Sequence, residues 1–292
     1  MSSFSERAVN LTRTSLMVGF ATSLSWEVGI FHALAEASTP LTSVQVAQAK
    51  RLKERYVREL LGSLVTAELV QVSTREDGVL LYSLEESAKK ELEGPTGPIL
   101  SYPAVVATLY QPVKECVYED GPNGYGLAHN VAYIVPWLNI KKPIQRNTPV
   151  IFIIRSMKII FTEAGIDVAE MGGGKARLSA TFASQFPKSR FVASEICPEL
   201  VESNRTQWAH VPNLSFSVDD LCAVPETPDK QFDFVFCNDV IHDLPDPLSA
   251  LRGIRRFLRK PDGLFMFMDK ATSGSVEADR GDMAVSFYYA AS

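Results

Sequence analysis

The sequence predicts two joined domains, a mainly α winged helix-turn-helix domain followed by an α/β domain built on a parallel sheet. Three observations carry this reading. The chain has 292 residues, more than one domain usually holds. In the first ninety residues, three stretches with helical spacing of apolar positions precede two short apolar runs joined by a turn. From Gly165 onward short apolar strands alternate with amphipathic helices, which is the pattern of βαβ units.

The first stretch sets Trp26, Val28, Ile30, Phe31 and Leu34 at helical spacing and predicts one core helix from Ser25 to a stop at Thr39-Pro40. Ser43 is placed to cap a short helix over 44–49, and a longer helix follows with Tyr56, Leu60, Leu61, Leu64 and Val65 on one face. Leu69 to Val72 and Val79 to Tyr82, separated by Glu76-Asp77-Gly78, read as a β-hairpin. Three helices and a hairpin make a winged helix, here assigned to residues 1–94. Glu93-Gly94-Pro95-Thr96-Gly97-Pro98 interrupts helix and strand alike and opens a region of mixed pattern, 95–164, read as linker, connecting helices and a cover over the site. Residues 165–292 form the α/β domain, with strands expected at 166–169, 191–194, 214–218, 232–237 and 264–268.

Composition narrows the function classes. Apolar residues make up 46% and charged residues 22%, so long disorder is not expected. A net charge of -5 gives no overall attraction to nucleic acid or to an anionic membrane. The most apolar run, 149–161, is too short to span a bilayer and is broken by Arg155 and Lys158. Cys116, Cys197, Cys222 and Cys237 are scattered without metal-ligand spacing, so no metal is expected and the thiols read as reduced. Residues 1–15 lack the apolar core of a secretory signal. A cytoplasmic protein is the expectation.

The first strand of the α/β domain runs into Glu170-Met171-Gly172-Gly173-Gly174-Lys175-Ala176, a glycine turn at the carboxyl edge of the sheet, where such folds bind ligands. Glycines at Gly172 and Gly174 let the backbone take positive φ and let a ligand approach. Glu170 is suited either to organising this turn or to accepting a hydrogen bond from a ligand ammonium. Glu195 ends the second strand twenty-three residues after Gly172, where a carboxylate can accept both hydroxyls of a ribose. Ile196 follows and can pack on an adenine face. After the third strand, Asp220, or its neighbour Asp219, is placed to accept from an adenine amino group.

Together, the acidic-x-Gly-x-Gly turn, Glu195, Asp220 and the strand end Phe234-Val235-Phe236-Cys237-Asn238-Asp239 resemble the class I S-adenosylmethionine-dependent methyltransferases. Glu54-Arg55-Tyr56-Val57-Arg58-Glu59-Leu60-Leu61 resembles a helix of the winged-helix domains that precede many of them. The resemblance implies a Rossmann-like sheet, S-adenosyl-L-methionine as cofactor, and Leu221 and Asn238 beside Glu170, Gly172, Gly174, Glu195, Ile196 and Asp220 in its site. It also implies a small-molecule acceptor and a homodimer formed through the winged-helix domain. The segment Val240-Ile241-His242-Asp243-Leu244-Pro245 resembles the His-Asp segment of winged-helix O-methyltransferases, in which the histidine removes the acceptor proton. His242 is therefore the expected general base, since an imidazole titrates ordinarily near pH 6.5. Asp243 is expected to orient the ring or to cap the next helix.

Three departures stand out. Ala176 occupies a place where a third glycine is common, and Glu170 replaces the more frequent aspartate. The family sheet closes with an antiparallel sixth and seventh strand, whereas here Val285 to Tyr289 resembles the approach to those strands and Ser292 follows closely, so a sheet lacking them is expected. Other readings remain open at this level. A nucleotide-dependent oxidoreductase shares the glycine turn and ribose acid. A catalytically inactive cofactor-binding or dimerisation protein is another alternative. A DNA-binding regulator is suggested by Lys50, Arg51, Lys53, Arg55 and Arg58, although Glu54 and Glu59 dilute that charge.

Overall fold

A capping box starts the first helix, α1 (Phe4–Thr12): Glu6 N–H donates to Ser3 Oγ at 3.1 Å and Ser3 N–H donates to the Glu6 carboxylate at 2.8 Å. The computed structural model describes residues 3–94, 96–122, 165–269, 271–282 and 284–286. Helix α1 continues through a π-helical stretch, Arg13–Val18, into α2 (Gly19–Glu27). This segment was not expected from the polar N-terminus, and no residue of α1 is buried. A helix with no buried stripe leaves no apolar periodicity to read.

By proximity the chain divides into two units; the first holds the described residues 3–120 and the second holds the remainder. In the first unit, α3 (Ile30–Glu36), α4 (Ser43–Lys50) and α5 (Glu54–Thr66) enclose a core of Ile30, Phe31, Leu34, Val46, Val57, Leu61 and Leu64. The single helix expected from Ser25 is broken at Gly29, whose φ of 85° lies in the left-handed region open to glycine. The α4 cap is Thr42, not Ser43: its hydroxyl accepts from Gln45 N–H while the Gln45 side chain accepts from Thr42 N–H. Along α5 the inner stripe is Val57, Leu61 and Leu64, while Tyr56 faces outward. The hairpin pairs β1 (Gln71–Thr74) with β2 (Leu80–Ser83), and Tyr82 drops from it into the helical core. Helices α6 (Glu86–Glu93), α7 (Thr96–Ile99) and α8 (Tyr102–Cys116) follow. Most of the segment read as a cover lies outside the described residues.

The second unit is a five-stranded parallel sheet of β3 (Asp167–Met171), β4 (Arg190–Glu195), β5 (Leu214–Val218), β6 (Phe234–Asn238) and β7 (Leu264–Met268). Each strand lies within two residues of its predicted position. The order β5-β4-β3-β6-β7 places β3 in the middle. Because the chain winds outward from β3 to both sides, crossover helices cover both faces. On one face, α9 (Arg177–Gln185) sets Leu178 and Phe182 against Phe191, Phe234 and Phe236. On the other, α11 (Pro247–Phe257) sets Ala250, Ile254 and Phe257 against Ala169, Val235 and Cys237. Helix α10 (Pro198–Gln207) packs along β4 and β5 through Leu200 and Val201.

Charges fasten the amino edge of this sheet. Asp167 is gripped by Arg190 at 2.6 and 2.9 Å and by Arg259 at 2.9 Å, and Arg259 also reaches Asp233. The Arg190 bond, then Arg259, holds the Asp167 carboxyl below the usual carboxylate range. Residues 284–286 are helical, and the rest of the segment expected to approach further strands lies outside the described residues.

Candidate functional site

The strand order reverses at β3, whose neighbours β4 and β6 connect to opposite sides of the sheet. Loops at the carboxyl ends there diverge and leave a crevice, the place where open α/β sheets bind ligands. Glu170, Glu195, Asp220, Asn238 and His242 all lie on the strand ends or loops of that edge.

The glycine turn is built from left-handed backbone. Gly172 has φ 71° and Gly174 has φ 54°. Ala176 also has φ 51°, which explains why glycine is common there: an alanine holds this conformation at a cost on the order of 1 kcal/mol. A Cβ on Gly172 would stand 2.7 Å from Val240 Cγ2, so the turn and the loop after β6 pack directly on each other.

Two buried carboxylates underlie the turn. Glu170 accepts from the Ser179 hydroxyl at 2.6 Å and from Ser179 N–H at 3.1 Å, which joins β3 to the start of α9. Burial pushes its carboxyl up to about 7; the bonds from Ser179 oppose the shift and the nearby Glu195 charge adds to it. Glu195 accepts from Gly174 N–H at 2.8 Å, from Ile196 N–H at 2.9 Å and from Cys197 N–H at 3.4 Å. These backbone N–H groups set the orientation of the Glu195 carboxylate at the end of β4.

The remaining sequence-predicted residues divide. Asp220 accepts from Cys222 N–H at 2.8 Å and starts the 3-10 turn Leu221–Ala223, while Asp219 accepts from the Ser217 hydroxyl at 2.6 Å. Leu221 is buried in the core beneath α11. Ile196 is half-buried beside Glu195, and Asn238 closes β6 half-buried at the crevice. Asp239 follows it with φ 60° and donates its N–H to Met268 O at 2.8 Å, which joins the ends of β6 and β7.

His242 sits in a short 3-10 turn, Ile241–Asp243. Its Nδ1 lies 2.5 Å from Asp269 Oδ1, and its backbone N–H donates to Asp269 Oδ2 at 3.2 Å. Asp243 Oδ1 stands 3.0 Å from Nε2, and Asp239 Oδ1 3.9 Å from the same nitrogen. Asp269, just beyond β7, thus flanks the ring on its Nδ1 side, with Asp243 on the Nε2 side. The cap of the next helix is Asp246, which accepts from Ser249 N–H at 2.9 Å. Sequence reasoning missed Asp269; its only signal was an acid after a strand end, twenty-seven residues from His242. Donor atoms of Asp239, His242 and Asp269 fall within 4.8 Å of one another, a spacing that also suits a cation. The 2.5 Å separation at Nδ1 is a close carboxylate–imidazole contact.

Comparison with known proteins agrees with this architecture. Residues 169–267 match a methyltransferase domain family, and residues 16–89 match the Rv2258c-like winged HTH domain family. Among curated proteins, trans-aconitate 2-methyltransferase of Methylobacterium radiotolerans is 30% identical over 82 residues, which is 28% of this chain and 30% of that protein. Malonyl-[acyl-carrier protein] O-methyltransferase 1 of Ilyobacter polytropus is 28% identical over 92 residues, 32% of this chain and 34% of that protein. The match therefore spans about a third of the length of each. Human N-acetylserotonin methyltransferase, solved in complex with SAM, superposes with a TM-score of 0.68 at 21% identity, covering 98% of this chain and 85% of that one. The mitomycin 7-O-methyltransferase MmcR superposes with a TM-score of 0.64 at 19% identity, covering 92% and 82%. These likenesses establish a shared fold across both domains. Residues 16–89 are thus similar to an Rv2258c-like winged HTH domain and residues 169–267 to a methyltransferase domain, on a fold shared with solved methyltransferases.

Proposed function

We propose that this protein is an S-adenosyl-L-methionine-dependent methyltransferase that modifies a hydroxyl of a small-molecule acceptor. The observation that carries the reading is a His242–Asp269 pair set on the same sheet edge as the Glu195-anchored glycine turn. The residues fit the cofactor: Glu195 would accept from the ribose hydroxyls, Gly172 and Gly174 keep side chains out of the turn, and Ile196, Asp220, Leu221 and Asn238 are assigned to the same site. When bound, the cofactor supplies an electrophilic methyl group on a sulfonium. In this role the Asp269 carboxylate beside Nδ1 favours a proton there, and Nε2 is assigned to take the acceptor proton. Asp243 is exposed and rotates away to admit the hydroxyl. Alignment of the reacting groups is worth roughly 7–11 kcal/mol, and a positioned base adds about 10²–10⁴-fold.

In this reading residues 165–292 hold the cofactor, 95–164 link the two domains, and 1–94 pair two copies in a cytoplasmic homodimer. Support for pairing comes from the N-terminal helix, where Phe4, Leu11, Leu16, Met17 and Phe20 are all more than half exposed. Among the described residues no helix is long and apolar enough to cross a membrane. Support for a small acceptor comes from two of the similar proteins, whose names describe methyl transfer to trans-aconitate and to mitomycin.

Calorimetric titration with S-adenosylhomocysteine and with NAD tests the cofactor. Saturable binding of the first alone is expected, and binding of NAD alone overturns the reading. Transfer of labelled methyl groups to a hydroxyl-bearing acceptor panel then tests the chemistry. Turnover is expected to survive chelation of divalent cations; turnover that depends on one would replace the base role of His242 by a cation site.

A further inference from the structure

Gly174, at the centre of the turn, has both of its backbone polar groups bound by side chains. Its N–H donates to Glu195 at 2.8 Å, and its carbonyl accepts from Asn204 Nδ2 at 2.7 Å. Asn204 is buried on α10, thirty residues away in sequence, and takes no part in the binding residues described above. One turn further along, just past the end of α10, the half-buried Trp208 donates its Nε1–H to Lys175 O at 3.0 Å. Consecutive carbonyls of the turn are thus held from behind by one helical segment. That helix begins three residues after Glu195. Turn, ribose acid and helix therefore form one closed circuit of hydrogen bonds.

We infer that Asn204 is a positioning residue for the cofactor, acting through the Gly174 carbonyl. The inference rests on the proposed cofactor reading and adds a residue to it. With its carbonyl held, the left-handed Gly174 peptide keeps its N–H aimed at Glu195 before any ligand arrives, so the ribose acid does not have to be ordered on binding. An aspartate at 204 keeps the shape but turns the donor into an acceptor facing a carbonyl, which expels the peptide from this geometry.

The test is calorimetric titration of S-adenosylhomocysteine into the full chain, its Asn204→Asp and Asn204→Ala variants, and a Val201→Ala control that removes core volume from the same helix. Both Asn204 variants are expected to raise Kd by about tenfold or more, while Val201→Ala lowers Tm and leaves Kd within about twofold. Equal affinity in a folded Asn204 variant overturns the inference alone. No binding by the unmodified chain overturns it together with the cofactor reading. Hydrogen exchange on the unmodified chain decides independently of variant folding: the ligand is expected to slow exchange in 173–176 and in 201–208 together, and protection confined to 173–176 overturns the inference.

Discussion

Asp269 meets His242 twice, its Oδ1 2.5 Å from the ring Nδ1 and its Oδ2 accepting the backbone N–H at 3.2 Å. One carboxylate at the end of β7 thereby fixes both the loop that carries the imidazole and the direction in which the ring points. This differs from a surface ion pair, because both groups are mostly buried.

With a hydroxyl acceptor, His242→Ala is expected to lower kcat by about 10²–10⁴-fold and leave the affinity for S-adenosylhomocysteine nearly unchanged. Asp269→Asn keeps the shape of the pair and is expected to lower kcat by no more than His242→Ala, with the double variant no worse than the single histidine change. Steady-state kinetics on the three variants check this. Multiplying effects would mean that the two residues act separately.

Glu195→Ala is expected to weaken S-adenosylhomocysteine binding by about 1.5–3 kcal/mol, the range for losing a charged hydrogen-bond acceptor. Since Glu195 also holds Gly174 N–H, faster amide exchange in the turn should accompany the loss. Calorimetry that finds unchanged affinity would remove Glu195 from the site.

Glu170 makes stability depend on pH. Its folded-state pKa is raised to about 7, first by burial, from the ordinary glutamate value of 4.5. Between these values the folded chain keeps a proton that the unfolded chain has released. This stabilisation is complete below 4.5 and is lost as pH rises through 7. Glu170→Gln does not titrate. Its unfolding free energy relative to the parent should therefore improve by about 3 kcal/mol from pH 4.5 to pH 8. Urea denaturation at the two pH values measures the gap, and a gap that does not change with pH would show that Glu170 is ionised throughout.

Gly172→Ala places a Cβ 2.7 Å from Val240 Cγ2 on a residue with φ 71°. Overpacking of this kind is expected to cost about 1–3 kcal/mol. Adding Val240→Ala should recover the steric part and leave the backbone part. Urea titrations of the single and double variants separate the two, and no recovery would mean that the backbone conformation alone is responsible.

The α/β domain was legible residue by residue because its signals are local. A strand buried on both faces reads as a short apolar run, as β6 does from Phe234 to Cys237, and the partly exposed edge strands β5 and β7 still carry enough apolar residues to fall where Leu214 to Val218 and Leu264 to Met268 predict. The turn at Gly172 to Gly174 and the acid at Glu195 are each marked by their own residue types. Helix limits were less legible. Gly29 breaks a helix that the spacing of Trp26 through Leu34 continues, because periodicity does not register one left-handed residue. Thr42 caps α4 in place of Ser43, since either hydroxyl suits the position and only the backbone angle at 42 selects between them.

The sequence by itself determined the two-domain order, the parallel sheet, the turn and its acid, and the histidine loop, all of which depend on neighbours within one strand-turn-helix unit. Only the tertiary structure decided that Asp269 holds His242, that Asn204 holds Gly174 and that Val240 packs on Gly172. The physical reason is the strand order: β3 lies between β4 and β6, and β7 lies beyond β6. Residues twenty-seven to sixty-eight positions apart therefore meet at one sheet edge. A hydrogen bond reaches about 3 Å in space, and nothing in the spacing of a linear chain records which distant loops come that close.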